Sequence, residues 1–152
     1  MATLFDELKQ LIKSLEDSRI EYALCGGLAL AIHGFVRATL DIDILIQTDR
    51  LERVLKLGEE KGFDIRGHDL SFKDGSIEIR RISKIGSDGQ ILSLDLLLVT
   101  PVIQDIWDNR ERIDSMGMQV SVISRAGLIR MKTLAGRPQD LVDIDRLENE
   151  ES

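Results

Sequence analysis

The chain has 152 residues, of which 43% are hydrophobic and 31% charged, with two prolines, one cysteine and a formal charge of −7. This is the profile of one compact α/β-sized domain over residues 1–152, and it excludes a disordered chain, a disulfide-stapled scaffold and a protein drawn to nucleic acid by bulk positive charge. No apolar run approaches the ~20 residues of a membrane helix, and the first residues are acidic where a secretory leader is basic, so the expectation is a cytoplasmic protein with no membrane association.

Leu4, Phe5, Leu8, Leu11, Ile12 and Leu15 recur at the spacing of one helical face and predict an opening amphipathic helix. Residues 22–25 form a short apolar strand, with Cys25 as a buried structural thiol. Gly26-Gly27 and a run of helix formers from Leu28 to His33 then read as a glycine turn and short helix. Residues 42–47 are strand-like, and Thr48-Asp49 predicts the cap of a second helix that stops near Gly62. Residues 76–83 and 91–100 predict an antiparallel hairpin over Gly86-Ser87-Asp88-Gly89. A helix over 102–110, a strand over 118–123 and two helices over 125–134 and 139–148, broken at Gly136-Arg137-Pro138, complete the chain. The fold class is therefore α/β of the α+β kind: a mixed β-sheet flanked by helices, with its core over about 20–100 and a C-terminal helical region over about 102–150.

Strand alternation sends Asp41 and Asp43 to one face while Ile42 and Ile44 face the core. Two such carboxylates repel unless a cation lies between them, so the pair reads either as hard-metal ligands or as solvated residues at a strand start. An EF-hand loop is excluded by Leu45 and Ile46, where a ligand and a glycine are required. A phosphatase-type aspartyl nucleophile follows its strand, whereas here the strand follows the aspartates, and a sugar-nucleotide glycosyltransferase needs a longer chain. Asp95 is the one charge in the apolar run from Ile91 to Val99. A buried charge needs a partner, and a metal shared with Asp41 and Asp43, or an ion pair with Arg81 on the hairpin partner, would supply one. Gly26-Gly27 between strand and helix could cradle a phosphate on backbone N–H groups. Arg80, Arg81 and Lys84 form one basic group, read as a solvated strand face or a local basic pocket. His33 reads as a packed or surface histidine, and His68 as a loop residue.

These residues resemble the nucleotidyltransferase superfamily that includes DNA polymerase β. Leu24-Cys25-Gly26-Gly27, Asp41-Ile42-Asp43-Ile44 and Leu94-Asp95-Leu96 match its glycine turn, its acidic pair and its third acidic strand residue. Arg37 to Asp43 together with Gly26 to Leu30 is similar to the minimal bacterial branch related to AbiEii-type toxins and to aminoglycoside and lincosamide nucleotidyltransferases. Residues 131–143 extend the likeness to about residue 145.

The resemblance implies transfer of a nucleoside monophosphate from an NTP to an acceptor hydroxyl. It implies two Mg²⁺ ions, or Mn²⁺ in their place, on Asp41, Asp43 and Asp95, with the triphosphate at Gly26 and Gly27. Lys132 and Arg37 are candidates to neutralise phosphate charge, although Arg37 could equally orient Asp41, and Arg137 could pair with Asp140 or Asp143. The acceptor is open: a small molecule, a protein, or a tRNA end met by Arg80, Arg81 and Lys84. The short chain leaves room for a homodimer that completes the pocket. The rival reading is a non-catalytic binding module of a toxin–antitoxin or two-subunit system.

Overall fold

A computed structural model describes residues 3–35, 41–86 and 88–149; Arg37, a candidate phosphate ligand, lies outside them. Thr3 opens α1 (Leu4–Asp17) with a capping box. Its hydroxyl accepts from the Asp6 N–H at 3.1 Å, and the Asp6 carboxylate accepts from the Thr3 N–H at 3.0 Å, so two N–H groups that the helix cannot pair are satisfied. Leu8, Leu11, Ile12 and Leu15 form the buried stripe, whereas Phe5, expected on it, is 46% exposed.

The short strand β1 (Ala23–Cys25) runs directly into α2 (Gly26–Ile32), and β2 (Asp41–Ile46) follows. A single 3₁₀ turn at Thr48–Arg50 leads into α3 (Leu51–Glu60); the expected Thr48 cap is not made, because the turn already shapes the helix entry. Next come β3 (Ile65–Arg66), β4 (Leu70–Phe72), β5 (Ile77–Ile85), β6 (Ile91–Leu98), α4 (Gln104–Asp108), β7 (Glu111–Ser115) and β8 (Met118–Val122). The helices α5 (Arg125–Ala135) and α6 (Pro138–Asn149) end the chain.

Among the described residues the strands form one mixed sheet in the order β3-β5-β6-β2-β1-β8-β7, with β4 also on the outer edge of β5. β2 is parallel to β6 and β8 to β1; the other pairings are antiparallel. On one face Ile82, Leu94 and Ile42 lie side by side on β5, β6 and β2, with Leu96, Ile44 and Leu24 in the next row. Ile42 and Ile44 are fully buried, each contributing roughly 1.5–3 kcal/mol by leaving water. Helix α3 closes on this face so tightly that a Cβ on Gly58 would meet the Ile82 side chain at 2.5 Å, and α1 packs on α3.

The stretch read as largely helical over 102–150 also carries a hairpin. β7 and β8 turn at Met116 and Gly117, both in the left-handed region (φ 55° and 75°), as a two-residue hairpin loop requires. The predicted helix break is present: Ser124 caps α5 by accepting the Gly127 N–H at 3.0 Å, Gly136 ends it with φ 65°, and Pro138 starts α6. Among the described residues no helix is long and apolar enough to cross a membrane.

Candidate active site

The face opposite the Ile82–Leu94–Ile42 row carries the acidic residues. Cys25, Asp43, Asp95 and Arg81 stand in register on β1, β2, β6 and β5. Asp41, two residues before Asp43, shares its face and pairs in register with Ser93, which in turn faces Ser83. The Ser83 and Ser93 hydroxyls are 2.9 Å apart and satisfy each other.

Asp95 is 6% exposed. The Arg81 Nε donates to its Oδ1 at 2.7 Å and the Arg81 Nη2 to its Oδ2 at 2.9 Å, a bidentate clamp. Of the two partners open to a buried Asp95, the guanidinium is the one engaged. Asp43 sits between Asp95 and Cys25 in the row. Burial first, then the charges of Asp95 and Asp41, push its carboxyl up to about 7 against the opposing pull of Arg81. Burial and Asp95 also raise Asp41. The Cys25 thiol is pushed well up by burial and then by Asp43 and Asp95, so it stays protonated, a buried structural thiol as expected.

Gly26 explains itself by geometry. Its φ is 65°, and a Cβ there would lie 2.2 Å from the Asp43 Oδ2. The backbone at the start of α2 therefore lies against the central carboxylate, an approach open only to glycine. Gly27 lines the same cavity.

The residues can be tested against a divalent ion. Among the described residues no three His, Cys, Asp or Glu side chains are grouped as metal ligands. The donor chemistry still suits a hard cation, because carboxylate oxygens crowd here until Asp43 holds a proton near neutrality. Asp41 and Asp43 share a face towards such an ion, and Asp95, clamped by Arg81, keeps lone pairs beyond the two that the guanidinium uses.

Lys132 lines the cavity, yet its ammonium is turned to α6. It donates to Asp143 at 2.9 Å and lies 3.8 Å from Asp140. Both carboxylates are 1% exposed, so Lys132 holds α5 to α6 as an interior ion pair. Arg137 binds Asp140 through its Nε at 2.7 Å, one of the pairings foreseen for it. The basic group on β5 is paired throughout, and of its three members Arg81 lines the cavity. Arg80 pairs with Glu78 and Asp69, Arg81 with Asp95, and Lys84 with Glu7 while lying over the Phe63 ring. His33 is a packed histidine with its Nε2 2.8 Å from the Ile123 carbonyl oxygen, and His68 lies in a loop.

A cavity of about 600 Å³ opens over the row. Besides the residues above it is lined by Leu128, Met131 and Ala135 of α5, by Lys73 next to Phe72, and by Leu70, Phe72, Ile77, Ile79 and Leu97, an apolar wall that was not anticipated. The alternation Leu70-x-Phe72 and Ile77-x-Ile79-x-Arg81 was the signal available for it.

An open mixed sheet with an acidic pair on one strand, a third aspartate on its parallel neighbour and a glycine turn against the pair is the arrangement that the resemblance to nucleotidyltransferases implies. The chain belongs to the family described as "Nucleotidyltransferase of unknown function (DUF6036)", whose profile matches residues 1–149. No curated protein sequence matches it. Among solved structures it is similar to a Thermotoga maritima protein assigned as a nucleotidyltransferase, with TM-score 0.64 and 16% identity over 95% of this chain and 91% of that one. It is also similar to the lincosamide antibiotic adenylyltransferase LnuA, solved with lincomycin, with TM-score 0.59 and 16% identity over 94% and 95% of the two chains. A third is ANT(2″)-Ia, solved with adenylyl-2″-tobramycin, with TM-score 0.60 and 16% identity over 92% and 84%. At these identities the likeness is one of fold.

Proposed function

We propose that this chain transfers a nucleoside monophosphate from an NTP to the hydroxyl of an acceptor. The observation that carries the reading is the in-register row Asp43–Asp95, with Asp41 on the same face and Gly26 against Asp43. The reaction forms a bond between the acceptor oxygen and the α-phosphorus and breaks the bond from that phosphorus to the bridging oxygen, releasing pyrophosphate.

Asp41 and Asp43 would hold Mg²⁺, or Mn²⁺ in its place; such ions, when bound, neutralise phosphate charge and stabilise the entering and leaving oxygens. The chain's own groups do the rest. The N–H groups of the Gly26-Gly27 turn take phosphate oxygens of the leaving side. Asp95 accepts the hydroxyl proton of the acceptor, since a carboxylate keeps lone pairs beyond the two that Arg81 uses. Arg81 fixes the plane of Asp95 and so orients that hydroxyl. Nothing in this scheme needs Lys132, whose charge is met by Asp143 and Asp140.

Incubation with α-³²P-labelled NTP, Mg²⁺ and hydroxyl acceptors tests the reading. Label transfer that falls at least ~100-fold in Asp43→Asn is expected; absence of metal-dependent transfer, or an unaffected Asp43→Asn, refutes it. One observation favours the rival, a non-catalytic binding module: both oxygens of Asp95 are engaged by a guanidinium. Calorimetry separates the two, because a module of that kind binds neither Mg²⁺ nor NTP.

A further inference from the structure

The apolar wall of the cavity has a fixed relation to the acidic row. On β5, Ile77 and Ile79 share a face with Arg81; on β6, Leu97 shares one with Asp95. Register places Leu70, Ile79 and Leu97 side by side, with Phe72 opposite Ile77 one step further out. The wall thus begins two residues beyond the Arg81–Asp95 clamp and continues it along the same surface. Ile77 and Leu97 are nearly buried, whereas Phe72, at 48% exposed, presents its ring to the open cavity. Unlike Phe5 on α1, which is equally exposed, Phe72 belongs to a contiguous apolar patch with Leu70, Ile77, Ile79 and Leu97 inside a cavity, and such a patch marks a binding surface.

We propose that this wall seats the acceptor, and that the acceptor is a small molecule with an apolar ring or chain and a terminal hydroxyl. The inference rests on the nucleotidyl-transfer reading for its direction. Gly26 lies on the β1 side of Asp43 and Asp95 on the β6 side. An in-line displacement puts the leaving pyrophosphate and the entering hydroxyl on opposite sides of the phosphorus. With phosphate at the glycine turn, the hydroxyl enters beside Asp95, where the wall starts. A cavity of about 600 Å³ is of the size that encloses a drug-sized molecule, ~300–1,000 Å³. Charge argues for the same class. Asp140, the acidic residue lining the far side, is matched by Arg137 and Lys132, so no acidic surplus there draws a polycation. Arg80, Arg81 and Lys84 are paired, and Lys73 next to Phe72 is a single cation on the wall, not the basic strip that draws a polynucleotide.

Saturation-transfer NMR on the full chain, with 3-phenyl-1-propanol as probe, tests the proposal. Binding is expected for the wild type and for Phe5→Ser, which removes an equally exposed ring from α1. Affinity should fall about tenfold, ~1.4 kcal/mol, in Phe72→Ser, while glycerol and spermine give no signal. Leu70→Ser supplies the same reading if Phe72→Ser does not fold by circular dichroism. Failure of the wild type to bind, equal binding by Phe72→Ser or Leu70→Ser, or displacement of the probe by total tRNA overturns the proposal. Calorimetry with each of the four MgNTPs on the same samples reports on nucleotide binding alone: no signal from any of them, with the probe results intact, sinks the transfer reading and leaves the apolar seat standing.

Discussion

Removing the guanidinium from Arg81 is the sharpest perturbation available, because it strips Asp95 of a countercharge that two short hydrogen bonds now supply. Arg81→Met keeps the aliphatic stem and deletes the charge. Orphaning one member of a buried ion pair costs ~3–5 kcal/mol. The Asp95 side chain is 8% exposed but that of Arg81 is 41% exposed, so water recovers part of the loss, and a cost of about 2–3 kcal/mol at pH 8 is expected. The charge balance gives the effect a pH signature. Asp43 is already pushed up to about 7 by burial, Asp95 and Asp41, and Arg81 opposes that push. Without Arg81, nothing opposes the protonation of Asp43, so the cost should shrink as pH falls towards 5. Urea midpoints of wild type and Arg81→Met at pH 5 and pH 8, in EDTA, read this directly. Addition of 10 mM Mg²⁺ at pH 8 should stabilise the variant more than the wild type, since Asp95 is released to join the donor set. A variant that loses less than ~1 kcal/mol at pH 8, or equally at both pH values, refutes the idea that Arg81 serves as the built-in countercharge of the row.

Three further outcomes follow from the same geometry. In the metal-free wild type, Asp43 has a folded value of about 7 against an unfolded value near ~3.9; a raised group stabilises at low pH, so stability should decline as pH rises from about 4 through about 7, as measured by chemical denaturation. Mg²⁺ should flatten that decline by replacing the proton; a profile unchanged by 10 mM Mg²⁺ counts against metal at Asp43. Gly26→Ala, which forces a Cβ to 2.2 Å from the Asp43 Oδ2 at φ 65°, should abolish nucleotide binding in calorimetry and cost at least ~1 kcal/mol. Lys132→Met leaves Asp140 and Asp143, each 1% exposed, without their shared ammonium; a loss of ~3–5 kcal/mol is expected, and a variant of unchanged melting temperature with weakened NTP binding would instead make Lys132 a phosphate ligand.

The residues with the clearest sequence signal were those fixed by local periodicity. Asp41 and Asp43 share a face because strand side chains alternate, and Asp95 stood out as one charge in an apolar strand; both features hold whatever the rest of the chain does. The Gly136-Arg137-Pro138 break was legible for the same local reason. The strands β3, β4 and β7 were not, because they are short, largely exposed edge strands with no buried face to leave a sustained alternating apolar pattern. Lys132 and Arg81 depended on non-local facts. Which carboxylate meets Lys132 is set by how α6 folds back on α5, and whether Arg81 reaches Asp95 is set by the register of the β5–β6 hairpin. A one-residue slip in that hairpin would send Arg81 to the opposite face.

The acidic row also argues against a purely structural role for these side chains. A sheet that needed only to pack could carry serine or valine at position 43, as the neighbouring Ser83–Ser93 pair shows that hydroxyls satisfy one another on this surface. Arg81 answers Asp95, yet burial and the charges of Asp95 and Asp41 still push the Asp43 carboxyl up to about 7. Around neutral pH that pressure opposes folding. Groups that oppose folding and converge in a cavity mark places where a ligand restores the balance. A cation held by Asp41 and Asp43, as proposed above, is a ligand of the sign that would relieve this pressure.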